Sequence, residues 1–166
     1  MILASKEALM DALGLKHIAR SGWLRHDIPT PESVAAHSWG MAFIASQLCP
    51  ENLNRERVLE MCIIHDLAEV RVGDITPYDD VTPSEKKALE FEAFESMEMN
   101  QKSRDLFIEY ESQKTPESRF VRFVDKLDMA LQAEIYEGAE ILRDDLDLSE
   151  FKKSAIKLAR EYGFEW

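Results

Sequence analysis

Apolar positions along this chain recur every three or four residues, and no stretch alternates long enough to suggest a strand. The periodicity predicts a first helix from about Ser5 to Ala19, followed by a loop holding Gly22 and Pro29. A second helix is predicted from about Pro31 to Leu48, where Pro50 ends it, and a third from after Asn54 to before Gly73. A loop over Gly73–Asp80 follows, then a fourth helix from Pro83 and a fifth around Arg104 to Gln113. A sixth is predicted from Pro116 to about Ala139, and a seventh from roughly Ser149 to Tyr162. One start signal recurs: Thr30-Pro31-Glu32-Ser33, Thr82-Pro83-Ser84-Glu85 and Thr115-Pro116-Glu117-Ser118. Thr caps the first free amides, Pro fits the first helical position, and acids favour the first turn. In the second copy Glu85 stands where a capping box requires it. The expected fold is all-α, a single bundle of about six to seven helices with no linker between domains.

Composition agrees with that pattern. Ala, Leu, Glu, Lys and Met are plentiful, whereas β-branched and turn residues are sparse. A length of 166 residues suits one domain over 1–166 with a single core. The net charge of −12 and the lack of a basic stripe argue against a nucleic-acid partner. An anionic substrate would have to be attracted locally, by metal ions and a few Arg or Lys side chains. Cys49 and Cys62 lie on apolar helical stretches and are not spaced as a metal-binding pair, which suggests buried thiols in a reducing, cytoplasmic setting. The start Met1-Ile2-Leu3-Ala4-Ser5-Lys6-Glu7 lacks the plan of a signal peptide, and no apolar run approaches a membrane span.

The chemistry concentrates in Met61-Cys62-Ile63-Ile64-His65-Asp66-Leu67-Ala68-Glu69. Burying charge among apolar residues is costly unless it is paired or coordinated. Glu69 follows His65 by four residues and Asp66 by three, so helical spacing turns all three toward one side. The plainer alternative is a solvated stripe in which the acids pair with Arg71. His37 shares a face with Val34, Met41, Ala45 and Leu48, where a hydrogen-bonded core histidine is the simpler reading. The sixth helix offers Asp125 and Asp128. Its helical wheel favours Asp128 as the buried acid, and the residues alone leave that choice open.

Two imidazoles and two carboxylates form a mixed N/O set without thiolate, unlike a structural zinc site. It suits Mn, Fe, Co, Ni or Zn with positions left for water and substrate. Such an ion lowers the pKa of a coordinated water and polarises a phosphoryl oxygen, and Glu69 is placed to hold or deprotonate water. Asp74 is either a turn residue after Gly73 or a ligand to a second metal or the leaving sugar. Arg20 and Arg25 flank Trp23; they are either surface arginines around a packing Trp, or a phosphate fork beside a sugar or base wall.

These segments resemble the HD-domain superfamily, whose pattern is His, then His-Asp, then a distant Asp: here His37, His65-Asp66 and Asp125. Longer matches are Pro31-Glu32-Ser33-Val34-Ala35-Ala36-His37-Ser38, His65-Asp66-Leu67-Ala68-Glu69, Gly73-Asp74-Ile75-Thr76 and Val124-Asp125-Lys126-Leu127-Asp128-Met129. They look like the 5′-deoxynucleotidase branch over roughly residues 9 to 140. The resemblance implies hydrolysis of deoxyribonucleoside 5′-monophosphates to nucleoside and phosphate. It assigns His37, His65, Asp66 and Asp125 to a divalent ion (Mn, Co, Mg, Ni, Fe or Zn) and so prefers Asp125 to Asp128. It gives Glu69 and Asp74 catalytic roles, with Glu69, Asp74 and the Ile75 carbonyl as a possible second metal site. Substrate contacts would come from Arg20, Trp23, Asp74, Ile75, Thr76 and Pro77, with Arg20 orienting the phosphate. Family members are often dimers, so a homodimer or higher homo-oligomer is expected.

One departure bears on specificity. Ser21 and Gly22 separate Arg20 from Trp23, where the bacterial enzyme has Trp directly after Arg; the eukaryotic group shares the Arg-x-Gly-Trp spacing. The departure falls beside the residue implied in deoxyribose selection, and not on those implied in phosphatase chemistry. Alternatives are an HD-type nucleoside triphosphate hydrolase, a non-catalytic nucleotide- or metal-binding module, and a purely structural helical protein. A cyclic-diguanylate phosphodiesterase fits less well, because no Gly-Tyr-Pro follows the His-Asp pair.

Overall fold

Two of the three Thr-Pro signals start helices where the sequence placed them. A computed structural model describes residues 4–139 and 145–166; the start at Met1–Leu3 lies outside the described residues. Thr82 accepts from the Glu85 amide while the Glu85 carboxylate accepts from the Thr82 amide, which closes a capping box. Thr115 does the same with Ser118. The first copy behaves differently. Ser33, not Thr30, caps the helix, because Glu32 and Ser33 are held extended against Ala19 and Arg20.

The elements in order are α1 (Lys6–Leu13), α2 (Ser21–Arg25), α3 (Val34–Leu48), α4 (Arg55–Ile64) and α5 (Glu69–Val72). They are followed by α6 (Pro83–Ser96), α7 (Gln101–Ser112), α8 (Pro116–Glu137) and α9 (Ser149–Ala159). The described residues form no strand beyond the single bridge between Ala19 and Ser33, so the fold is all-α. Two short helices differ from the expected layout. α2 forms inside the predicted loop, and α5 is split from the predicted third helix. The split follows from the chain tightening at Leu67, Glu69 and Val70, whose amides reach back only three residues. The first helix likewise ends at Leu13 and continues as a 3-10 turn over Gly14–His17.

α3, α4 and α8 bury Met41, Ala45, Val58, Met61, Phe123 and Val124 in one core. Truncating a buried aromatic there, such as Phe123, costs about 3–5 kcal/mol. A second cluster joins Val34 and Leu67 to Phe94 and Phe107, which holds the turn before α5 against α3, α6 and α7. A third packs Trp23 and Ile28 on Ala133 and Leu148, tying α2 to the last two helices. His37 and the His-Asp turn thus face α8 across a closed apolar frame. Cys62 is fully buried, and burial pushes its thiol up to about 12; Cys49 is half-buried, and both are free.

Candidate active site

His37 sits one turn into α3, on the face that buries Val34, Met41 and Ala45; Leu48 escapes to the surface. Its Nδ1–H donates to Asp128 Oδ2 at 2.6 Å, and its Nε2 lies 3.3 Å from Asp125 Oδ1. The two acids of α8 therefore take opposite sides of one imidazole. Asp128 orients the ring, and Asp125 stands on the ligand side. Both acids are buried; Asp125 faces His37 Nε2, where His65 also converges, while Asp128 faces Nδ1 and joins Glu32 in a second group around the ring.

Gly40 makes that arrangement possible. A Cβ at this position would lie 2.1 Å from Asp128 Oδ1. Only a glycine one turn after His37 lets the carboxylate reach the ring.

His65 caps α4 at the point where the chain leaves it. Its Nδ1–H donates to the Cys62 carbonyl at 3.0 Å, so Nε2 faces the cleft. Asp66 Oδ2 lies 3.0 Å from His65 Nε2 and 3.8 Å from His37 Nε2. Ligand atoms of His37, His65 and Asp125 all fall within 4.8 Å of one another.

The donor set fits a divalent ion. His37 Nε2 and His65 Nε2 are fully buried within ion-pair distance of carboxylates, yet neither makes a hydrogen bond of acceptable geometry. Each ring has its other nitrogen bonded to a carboxylate or carbonyl, the outer support typical of metal-ligating histidines. Burial and Arg20 oppose a charge on His37, but Asp125 and Asp128 outweigh them and raise it to about 9. A cation at Nε2 would replace that second proton. Burial also works against the Asp66 charge, but His65, Arg20 and His37 hold its carboxyl far below the usual range. Asp125 is likewise lowered, with Lys126 and His37 overcoming its burial.

Glu69 opens α5 and is almost completely buried. Burial, then Asp66, then Asp74 push it up to about 10, and its Oε2 has no hydrogen-bond partner. A buried acid in a cleft with so displaced a proton affinity is a candidate for proton transfer.

Arg20 is not a surface arginine. Its guanidinium is 11% exposed and lies 3.5 Å from Asp66 and 3.6 Å from Asp74. Asp74 also accepts from the Ser21 amide at 2.7 Å, so it anchors the start of α2 while holding Arg20. The Ile75 carbonyl accepts from Lys86 at 2.7 Å. Thr76 donates through its amide and hydroxyl to Asp79, which shapes the turn carrying Pro77 and Tyr78 along the cleft.

Trp23 is 1% exposed, packs on Tyr136 and Phe151, and donates its indole N–H to Glu32. It borders the cleft from within the core. Arg25 is half exposed and pairs with Asp79.

The cleft measures about 730 Å³, enough for a small nucleotide. Sequence reasoning missed Lys86 and Tyr110. Tyr110 is half-buried, lies edge-on to the His65 ring and reaches Asp125 at 3.4 Å. Neither belongs to a motif with recognisable spacing. Only the capping box before Lys86 hinted that its helix start was fixed.

The sequence matches the HD-domain family over residues 12–163. The chain belongs to the HD-domain family. This HD-domain protein is 39% identical to 5′-deoxynucleotidase hdd1 of Schizosaccharomyces pombe, over 82% of this chain and 73% of the relative. It is 36% identical to 5′-deoxynucleotidase HDDC2 of Homo sapiens, over 76% of this chain and 65% of the relative. The chain thus spans about two thirds of the length of that human relative. A conserved hypothetical protein from Pyrococcus furiosus superposes with a TM-score of 0.72 at 34% identity, covering 95% of this chain and 99% of that one. No helix among the described residues is long and apolar enough to cross a membrane.

Proposed function

We propose that this HD-domain protein is a metal-dependent 5′-deoxynucleotidase, which hydrolyses deoxyribonucleoside 5′-monophosphates to nucleoside and phosphate. The observation that carries the reading is the convergence of His37, His65 and Asp125 with their imidazole Nε2 atoms buried and without hydrogen bonds, beside the displaced acid Glu69. Kinship with named 5′-deoxynucleotidases supports the substrate class.

His37, His65, Asp66 and Asp125 would hold the ion. When bound, it supplies Lewis-acid polarisation of a phosphoryl oxygen and a more acidic water. Asp128 and the Cys62 carbonyl keep the two imidazoles oriented. Burial, Asp66 and Asp74 make Glu69 hold its proton; with those carboxylates offset by a cation on the neighbouring ligands, Glu69 accepts a proton from the water that attacks phosphorus. Arg20, kept charged against its burial by Asp74 and Asp66, orients the phosphate and stabilises the charge developing on it. Asp74, Ile75, Thr76 and Pro77 line the substrate side, and Trp23 backs the pocket wall. Glu69, Asp74 and the Ile75 carbonyl remain the group that would serve a second cation.

The same reading takes the chain as one domain and as a cytoplasmic homo-oligomer. Two free thiols support the first setting. Trp39 and Phe43, exposed and stacked on α3, support self-association.

The test is phosphate release from a panel of ribo- and deoxyribonucleoside mono- and triphosphates, with Mn, Co, Mg or no added metal. Metal-dependent release confined to deoxymonophosphates is expected. Release from triphosphates instead would move the protein to triphosphate hydrolysis, and binding without turnover under every metal would make it a binding module.

A further inference from the structure

Lys86 is a partly buried cation lining this cleft whose short hydrogen bond goes to a neutral acceptor, not to a carboxylate. Its position is fixed early: Pro83 and the Thr82–Glu85 capping box lock the first turn of α6, and Lys86 follows one residue later. Its stem is two-thirds covered. The ammonium makes one short bond, to the neutral Ile75 carbonyl at 2.7 Å, and meets Glu90 at 3.4 Å.

The other cations lining the cleft are differently placed. Arg20 lies between two carboxylates, Arg25 pairs with Asp79 at 3.0 Å, and Lys126 pairs with Asp125 at 2.9 Å. Lys87 is tied to the Glu111 carbonyl and carboxylate, and Arg122 is exposed to solvent.

An ammonium has three donors and no acceptor. Ile75 takes one and Glu90 stands near a second, which leaves a third among the described residues. Lys86 lines the same cleft as Asp66, Glu69 and Asp74. A phosphate dianion entering beside Asp66, Asp74 and Asp125 is favoured by each cation that faces the same cleft.

We propose that Lys86 is a second cationic arm for the substrate phosphate beside Arg20, held ready by the Ile75 carbonyl and engaging a phosphate oxygen. This rests on the phosphohydrolase reading of the site. On this proposal the Ile75 carbonyl aims Lys86 in place of holding a second cation.

The test is isothermal titration of inorganic phosphate, and separately of deoxyadenosine, into the Mn-loaded full chain, comparing wild type with K86M and K86R. One lost charge-assisted bond predicts a phosphate Kd weakened about ten- to hundredfold in K86M, largely restored in K86R. Deoxyadenosine affinity is expected to stay the same, because it carries no phosphate. Unchanged phosphate affinity in K86M overturns the proposal. So does equal weakening of both ligands, which would mark a structural role, or a second Mn bound by K86M, which would mark Lys86 as a cation placeholder. Phosphate binding is read without turnover, so failure of the deoxynucleotidase reading would show separately in the substrate panel. Should K86M not fold, K86Q carries the same comparison.

Discussion

The two ends of the cleft are built in different ways. At the inner end, His37, His65 and Asp125 come from helices or a helix terminus, are nearly inaccessible, and have their positions set by buried partners. At the mouth, Arg25, Tyr78, Asp79, His26 and Glu150 meet through solvent-facing pairs: Arg25 with Asp79, His26 and Tyr78 with Glu150, and Arg25 over the Tyr78 ring. The inner end is held by buried hydrogen bonds to the Nδ1 side of each ring, and the mouth by exposed ion pairs that water screens. On the proposed function, chemistry belongs to the inner end, and the rim, built from α2, α9 and the turn at Tyr78–Asp79, meets the part of the substrate farther from the ion.

Removing a ligand should break this contrast most severely. His65→Ala is expected to lose the ion and reduce turnover by more than the ~100-fold that loss of an orienting group produces; metal content and phosphate release check both. Glu69→Ala should instead keep the ion and lose turnover, and full activity in that variant would remove Glu69 from the mechanism.

The next effect is on support of the ligands. Asp128→Asn and Gly40→Ala both disturb the bond to His37 Nδ1, the second by driving a Cβ into the carboxylate. Each should weaken metal affinity about 10- to 100-fold, read by competition with a chelating dye. If Gly40→Ala matched wild type, the positioning role of Asp128 would have to be abandoned.

The rim should respond least. Tyr78→Phe removes the hydroxyl that donates to Glu150, and Arg25→Ala removes the pair with Asp79. Both should leave the melting temperature nearly unchanged and shift KM more than kcat. The Thr76 amide and hydroxyl, through their bonds to Asp79, hold its carboxyl below the ordinary 3.8. A lowered folded value means the stabilisation is present above the unfolded value and is lost as pH falls through the folded one. Asp79→Asn should therefore narrow the stability difference from wild type when melting is compared at pH 6 and below pH 3.8.

The all-α architecture was legible because periodicity and caps carry it locally: Thr82 and Thr115 start their helices as the sequence implied. The break at His65–Ala68 was not, because it depends on how Leu67 and Ala68 pack into the second cluster. That His37, His65 and Asp125 would converge was legible as a pattern, while the sides of the His37 ring taken by Asp125 and Asp128 were not. It depends on which side of the His37 ring each acid reaches, a fact of tertiary packing that includes the space left at Gly40. Arg20 could be named but not located, since its burial comes from Asp66 and Asp74, which are far away in sequence. Lys86 was invisible because its partner is a backbone carbonyl.

The most direct measurement strips the protein with chelator, reloads it with increasing Mn, and follows phosphate release from a deoxyribonucleoside 5′-monophosphate beside His65→Ala. The account predicts no release without the ion, recovery that saturates with ion bound at His37, His65, Asp66 and Asp125, and no recovery in the variant. Release by the stripped protein, or equal recovery in His65→Ala, would contradict it.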